Sequence, residues 1–182
     1  MSGVRTGPAD MWVARVDEGY VFGDLSPASV DTLKGVPMLI ESSDPRVRGR
    51  LFPETSDDED VETEWRAHAV PELERLFLSR AQLVRRDLAA LRAMPKSKRQ
   101  VLLIPHAHQS AWLAALNAAR LALFALNDLT AAHMEADGLA TAAQKQQEAI
   151  LRIHLLAEVQ SVLLGDFEID DSGQSFEKFI LE

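Results

Sequence analysis

The sequence predicts an α+β domain that is mainly α, with a bundle of four to five helices beside a small antiparallel sheet. The first observation is an apolar helical segment at residues 111–129, AWLAALNAARLALFALNDL, which holds only four polar residues. The second is a pair of further long helical segments, at 71–94 and 141–164. The third is a set of short apolar runs that predict the strands of the sheet, at 12–16, 20–22 and 101–104.

The composition is typical of a globular protein with one core. The 182 residues are 47% hydrophobic and 26% charged, which suits a single domain. We expect that domain at 12–165, a flexible N-terminus at 1–11, and an acidic C-terminal tail with a short hairpin or docking segment at 166–182. The sequence has no cysteine, which excludes disulfides and cysteine-bound zinc. The first residues lack the apolar run of a secretory signal, so we expect a cytoplasmic, bacterial-type protein.

The predicted sheet begins with a hairpin. The runs at 12–16 and 20–22 flank a short polar turn, in which we expect Gly19 to supply a positive φ. The run at 101–104 ends at Pro105 and is expected to join the hairpin as a third strand.

The first helix begins at Ser26 and Pro27, because serine is a good N-cap and proline suits the first helical position. Gly35 and Pro37 predict a kink or break in this helix. Residues 42–53 then predict an irregular connection.

A second helical region follows an acidic stretch. Ser56 and Glu59 have capping-box spacing and predict a helix start. The face that this helix is expected to bury comprises Val61, Trp65 and His68. Pro71 predicts an interruption and the start of a further helix that runs to Met94, where Pro95 stops it.

The helix at 111–129 is apolar on nearly all sides, which places it inside a protein or a membrane. One arc is bulky and the other is built of alanine, so another helix can approach closely. Arg120 near the middle costs about 2.5–3.5 kcal/mol on insertion scales, so we expect no membrane span. The last helix is predicted at 141–164, with Gly165 as its C-cap.

Polar residues on these apolar faces form a candidate polar core or pocket. Its members are Glu64, Arg80, Asn117, Arg120 and Asn127. A buried unpaired charge costs several kcal/mol, so the arginines need partners. Glu64 is the first candidate partner, followed by Asp60 and Asp87. Two interpretations stay open, a structural polar network and an anion-binding or catalytic pocket.

Charge is unevenly placed along the chain. The net charge is −9, yet residues 75–99 hold eight Lys and Arg, whereas residues 57–64 hold six carboxylates. The candidate interaction surface on the basic segment comprises Arg75, Arg85, Arg86, Arg92 and Lys96. Such a strip can meet phosphates or an acidic partner. The acidic total and the lack of interleaved aromatic residues do not favour nucleic acid.

The sequence holds no complete catalytic or metal-binding motif. His106 and His108 are two residues apart, which puts them on different faces of a starting helix. The sequence contains no glycine-rich phosphate loop, no G-x-S-x-G and no H-E-x-x-H. We therefore expect no catalytic residue, no cofactor and no metal.

Several short motifs occur in order along the chain. They are Arg-Leu-Phe-Pro at 50–53, Glu-Trp-Arg at 64–66, Trp-Leu-x-x-Leu-Asn-x-x-Arg-Leu at 112–121 and a run at 156–164. Over residues 12–165 the chain resembles a bacterial family known only as a domain of unknown function. It departs from that family at Trp65, where Phe is usual, and at 123–125, where a Gly is usual. The resemblance implies no catalytic residues. It also implies a gene that often lies beside that of a Clp protease adaptor, and some members are labelled regulators.

These observations predict a non-catalytic, cytosolic interaction or regulatory domain. A protein partner and oligomerisation both fit the sequence. One alternative is an enzyme or small-anion-binding protein that uses Arg80, Arg120, Asn117 and Glu64. A second alternative is nucleic-acid binding through the basic helix at 75–99.

Overall fold

A computed structural model describes residues 3–6, 11–135 and 137–166 of the chain. Its strands are β1 (Gly3–Thr6), β2 (Met11–Val16), β3 (Gly19–Leu25), β4 (Arg92–Ala93) and β5 (Gln100–Pro105). They form one antiparallel sheet in the order β1-β2-β3-β5-β4. The sequence predicted β2, β3 and β5. The edge strands β1 and β4 carry no apolar run that could have marked them.

Helices make up most of the remaining described chain. They are α1 (Pro27–Ile40), α2 (Pro45–Leu51), α3 (Glu59–Glu64), α4 (Val70–Ala89), α5 (Gln109–Leu126), α6 (Gly138–Thr141) and α7 (Gln144–Leu164). A π-helical turn, Trp65–Ala69, joins α3 to α4, and 3₁₀ turns lie at His106–His108 and Ala131–Met134. The predicted fold class, mainly α with a small antiparallel sheet, is confirmed.

Helix α5 lies at the centre of the bundle, where it contacts α1, α2, α4 and α7. Trp112 and Leu116 on its bulky arc are fully buried. Ala115 and Ala119 on its flat side are fully buried too, so small side chains bring neighbouring helices close. Among the described helices, none combines the length and apolar character needed to cross a bilayer.

The sheet packs its two faces differently. Phe22 and Ile104 belong to the main core together with the helices, whereas Ala14 and Val21 form a small second cluster on the other face. Trp12 covers that second cluster and stands opposite Gly23 in the β2–β3 pairing.

Gly19 is required for a different reason from the one predicted. Gly165 is the glycine with a positive φ among those described, so Gly19 does not supply one. A Cβ at Gly19 would stand 2.1 Å from the carbonyl oxygen of Ile104. Glycine is therefore needed because strand β5 approaches too closely for a side chain.

Two predictions between residues 26 and 53 need correction. Helix α1 does not break at Gly35 and Pro37 but continues to Ile40, and the side chains of Val36 and Pro37 are buried in the core. The connection predicted as irregular contains α2, whose N-cap Asp44 accepts a hydrogen bond of 2.9 Å from the Arg46 backbone N–H. Asp44 and Pro45 begin α2 as Ser26 and Pro27 begin α1, with a polar N-cap followed by proline at the first helical position.

The path from α3 to α4 also differs from the prediction. Asp58, not Ser56, caps α3 by accepting from the backbone N–H groups of Asp60 and Val61. Val61 is 52% exposed, and His68 is exposed as well, so the predicted apolar face is not buried. Helix α4 begins at Val70 with Pro71 in its first turn, close to the predicted start, but the chain is not interrupted before it. The wide π turn, in which the Val70 N–H donates to the Trp65 carbonyl, carries the chain through.

The ends of the two long helices differ in how well they were predicted. Helix α4 ends at Ala89 rather than at Met94, because the backbone of β4 pairs with β5 instead of continuing the helix. Helix α7 ends at Leu164, and Gly165 caps it with a φ of 81°. The predicted C-cap is confirmed. The predicted C-terminal tail lies beyond Asp166 and outside the described residues.

Candidate functional site

The two arginines of the predicted polar cluster lie apart from Glu64. Arg120 is half-buried, and its Nη1 donates a 2.7 Å hydrogen bond to Oε1 of Gln160 on α7. The guanidinium of Arg80 lies 5.8 Å from the ring centre of Phe77, a cation–π contact. Glu64 is exposed, and within the described chain no hydrogen bond or ion pair joins it to either arginine.

The two asparagines of the cluster also occupy separate places. Asn117 is exposed on α5. Asn127 follows the end of α5, and its Nδ2 donates a 2.8 Å hydrogen bond to the Leu123 carbonyl. The structure thus gives Arg120 and Asn127 separate hydrogen-bond partners and does not bring the five residues together. Their role in ligand binding stays a prediction.

A different buried polar group organises this part of the core. Asp87, near the end of α4, is 7% exposed. Its Oδ2 accepts a 2.8 Å hydrogen bond from the indole Nε1 of Trp112, and His108 Nδ1 lies 2.9 Å from the same oxygen. With its proton on Nδ1, His108 donates to Asp87. The carboxylate therefore ties the end of α4 to the start of α5.

Sequence reasoning did not find this cluster. It considered His108 only as part of an incomplete metal motif and named Asp87 only as a partner for the arginines. One pattern could have revealed it: His108 and Trp112 are four residues apart, so both ring N–H groups lie on one helix face. A buried Trp N–H needs an acceptor, and Asp87 is one of the few carboxylates near an apolar face.

The basic residues of the candidate interaction surface do not lie on one helix. Arg75 pairs with Glu72 at 2.6 Å, and Arg85 pairs with Glu41 at 2.7 Å. Arg86 is exposed on α4, Arg92 belongs to β4, and Lys96 lies in the turn before β5. The charges of Arg75 and Arg85 are thus matched by neighbouring carboxylates. The interaction role of this surface stays a prediction.

An open cavity of 530 Å³ lies between the first two turns of α1 and one face of α7. We call it the α1–α7 groove. Residues 26–32 form one wall, residues 148–158 form the other, and Arg99 reaches it from the turn before β5. Leu155 is nearly buried in the α7 wall, whereas Leu151 beside it is 52% exposed.

The α1 end of the groove is already hydrogen-bonded. Ser26 Oγ accepts from the Ser29 backbone N–H at 3.1 Å and contacts Ser29 Oγ at 2.9 Å. Arg99 Nη1 donates a 2.8 Å hydrogen bond to the Asp24 carbonyl, and its Nε lies 3.8 Å from Asp24 Oδ1. The charge of Arg99 is therefore largely compensated by Asp24.

Glu158 stands out on the α7 wall. Its Oε2 is buried and has no hydrogen-bond partner among the described residues. Burial raises the pKa of the Glu158 carboxyl above its ordinary value, because the charged form loses hydration. His154 lies four residues earlier on the same helix face. Their spacing was evident from the sequence, but the wall supplied by α1 was not.

Within the ranges that the structure describes, no group of three or more His, Asp or Glu residues could hold a metal ion.

Fold and groove together define a mainly helical α+β domain that carries an open groove between its first and last long helices. Residues 5–166 match the model of a family described as Domain of unknown function (DUF2017). The match spans most of the chain, so the protein belongs to this family, and the resemblance predicted from its motifs is confirmed. No curated protein and no solved structure matches the chain.

Proposed function

We propose that this protein is a non-catalytic cytosolic interaction domain and that it docks a segment of a partner protein in the α1–α7 groove. The observation that carries the proposal is the exposed side chain of Leu151 inside a cavity of 530 Å³. An apolar side chain held in a concave site can be desolvated by a partner side chain, which is how the central residues of interfaces contribute binding energy.

The composition of the groove supports this proposal. Leu151 and Leu155 give an apolar strip along α7, and charged residues surround it on both sides. An apolar centre with a polar rim is the usual anatomy of a protein interface. The groove is small, so it suits a short segment or a few side chains rather than a whole domain.

The support beneath the groove favours binding without rearrangement. Both α1 and α7 rest on the central helix α5. Leu33 and Ile150, which anchor the two walls, are fully buried. A wall that is already ordered loses little conformational entropy when a partner binds.

The alternative functions find less support. None of Arg80, Arg120, Asn117 and Glu64 lines the groove, so an enzyme or anion-binding protein would need a second site. Nucleic-acid binding through residues 75–99 would use a surface on which Arg75 and Arg85 already pair with carboxylates. If the protein bound nucleic acid there, its affinity for nucleic acid would fall steeply as the salt concentration rises.

Site-specific photocrosslinking in the full chain tests the docking proposal. A photoreactive phenylalanine at position 151 is expected to crosslink a partner that the same residue at position 38 does not reach. Met38 is the matched control, because it is 72% exposed on α1 and lies outside the groove.

The crosslinked partner is then purified and its affinity measured by calorimetry. We expect Leu151→Glu to weaken binding at least tenfold and Met38→Glu to leave it within twofold. Equal crosslinking from both positions would overturn the proposal, and so would an affinity that Leu151→Glu leaves unchanged.

A further inference from the structure

The α1–α7 groove carries more negative than uncompensated positive charge. Asp31 on α1 and Glu148 and Glu158 on α7 face it. The two arginines are Arg99, whose charge Asp24 compensates, and Arg152. The excess of carboxylates favours a cationic occupant.

The buried carboxylate of Glu158 also favours a cationic occupant of the groove. A buried carboxylate oxygen without a hydrogen-bond donor costs free energy, since its hydration is lost and nothing replaces it. His154 and Leu155 occupy the same face of α7. Arg120 of the neighbouring helix α5 donates through Nη1 to Gln160, and its buried Nε has no hydrogen-bond partner among the described residues. Within those residues no donor reaches Oε2 of Glu158, so a bound partner can supply one.

We infer that the partner segment places an arginine or lysine side chain against Glu158 and an apolar side chain over Leu151. This inference rests on the proposed docking function. The cation supplies the missing hydrogen bonds to the Glu158 carboxylate, and the apolar side chain covers the exposed leucine.

The helix geometry sets the spacing of the two side chains. Leu151 and Glu158 are seven residues apart on α7, which corresponds to about 10 Å along the axis. In a polyproline II segment, which has three residues per turn, residues three apart lie on the same face and span about 9 Å. The recognised segment thus carries its apolar residue and its basic residue at positions i and i+3.

Binding is expected to strengthen as pH rises. Burial raises the pKa of Glu158, and an adjacent cation favours the ionised form, so the complex prefers the pH range above this raised pKa. His154 also lines the groove, four residues before Glu158 on α7. The other charged groups that line the groove are Asp31, Arg99, Glu148 and Arg152. The pH series is therefore measured in a His154→Gln background.

Peptides with blocked termini test the inference. Ac-Leu-Ala-Ala-Arg-NH2 is titrated into ¹⁵N-labelled full-length protein, beside peptides that carry Gln or Glu in place of Arg. We expect the Arg peptide to bind at least tenfold tighter than the Gln peptide and to shift the amides of Leu151 and Glu158. The Glu peptide is expected to bind weakest.

Two isosteric variants identify the responsible carboxylate. Glu158→Gln is expected to reduce the preference for Arg over Gln to within twofold and to remove the pH dependence. Glu148→Gln, the matched control in the same groove, is expected to keep both. Each variant is first shown to have the urea midpoint of the parent protein or higher.

The outcomes separate this inference from the docking proposal. Equal binding of the Arg and Gln peptides at Leu151 would overturn the cation preference while the groove remained a docking site. A preference that survives Glu158→Gln would overturn the role of that carboxylate. Peptides that do not reach the groove, with crosslinking at position 151 intact, would overturn the recognition motif alone.

Discussion

Asp87 shows how one side chain can join two helices inside the core. It receives the indole N–H of Trp112 and contacts Nδ1 of His108, so both of its partners lie at the start of α5. Hydrogen bonds to a charged acceptor contribute about 1.5–3 kcal/mol each. Removing the acceptor also leaves a buried donor on Trp112 without a partner.

Replacing Asp87 by Ala is therefore expected to lower the free energy of unfolding by about 3 kcal/mol. Asp87→Asn keeps one acceptor oxygen and is expected to cost about half as much. Urea denaturation followed by tryptophan fluorescence gives both values. The exposed residue Asp57 provides the control, and Asp57→Ala should change stability by less than about 0.5 kcal/mol. Equal effects at the two positions would contradict the assigned network.

Glu62 makes a pH-dependent contact at the residue scale. The hydrogen bond from the Thr55 backbone N–H lowers the pKa of the Glu62 carboxyl, and Arg66 adds to the effect. A lowered pKa in the folded state means that the contact is present above the ordinary value of about 4.3 and is lost as pH falls through the lowered one.

The Thr55 amide proton is expected to report this loss. Its NMR shift should stay constant down to about pH 4.3 and move upfield below it. In Glu62→Gln the movement should vanish. A Thr55 amide that titrates at the ordinary glutamate pKa would show that the hydrogen bond does not hold the carboxylate.

Glycines in two elements show opposite requirements. Gly19 in β3 faces the backbone of β5, where an added Cβ would meet the Ile104 oxygen at 2.1 Å. Gly35 in α1 has no atom within 4 Å of an added Cβ. Position 19 therefore excludes a side chain on steric grounds. At position 35 a side chain fits, and glycine there only lowers the helix propensity of α1.

We expect Gly35→Ala to raise the free energy of unfolding by about 0.5–1 kcal/mol and Gly19→Ala to lower it by about 2 kcal/mol. The same chemical change thus acts with opposite sign in a helix and in a strand. Urea midpoints of the two variants measure it. A destabilised Gly35→Ala protein would mean that α1 has no room at that position.

At the scale of the whole molecule, α5 holds the bundle together. It contacts α1, α2, α4 and α7, and its residues Ala115, Ala119 and Ala122 are fully buried. The groove walls α1 and α7 both contact α5, so we expect the separation of the walls to depend on the small side chains of α5.

Enlarging a buried alanine should therefore disturb both stability and the groove. Ala119→Leu is expected to lower the free energy of unfolding by about 2–3 kcal/mol, because the core has no space for the added atoms. Ala89→Leu, at an exposed position of α4, is the matched control and should stay within about 0.5 kcal/mol. Amide shifts at residues 148–158 show whether the groove moves as well. A neutral Ala119→Leu variant would mean that α5 is loosely packed.

Local patterns predicted the elements whose cause is local. Ser26-Pro27 began α1, Gly165 ended α7, and apolar runs marked β2, β3 and β5. Predictions failed where distant contacts decide the outcome. Pro37 did not break α1, whose neighbouring side chains pack in the core, and a π turn joins α3 to α4 without the predicted interruption before Pro71. Helix α4 ended earlier than predicted, because residues 92–93 form strand β4 and pair with β5.

For the candidate site, too, local patterns predicted some features and distant contacts decided the others. The sequence by itself determined a mainly helical α+β domain, a central alanine-rich helix and the spacing of His154 and Glu158, because apolar periodicity and helix spacing are properties of neighbouring residues. The tertiary structure alone decided that Arg120 meets Gln160, that Asp87 meets Trp112, and that α1 closes a groove over Glu158. These contacts join residues far apart in the chain, and only packing around α5 brings them within hydrogen-bonding distance or into one groove.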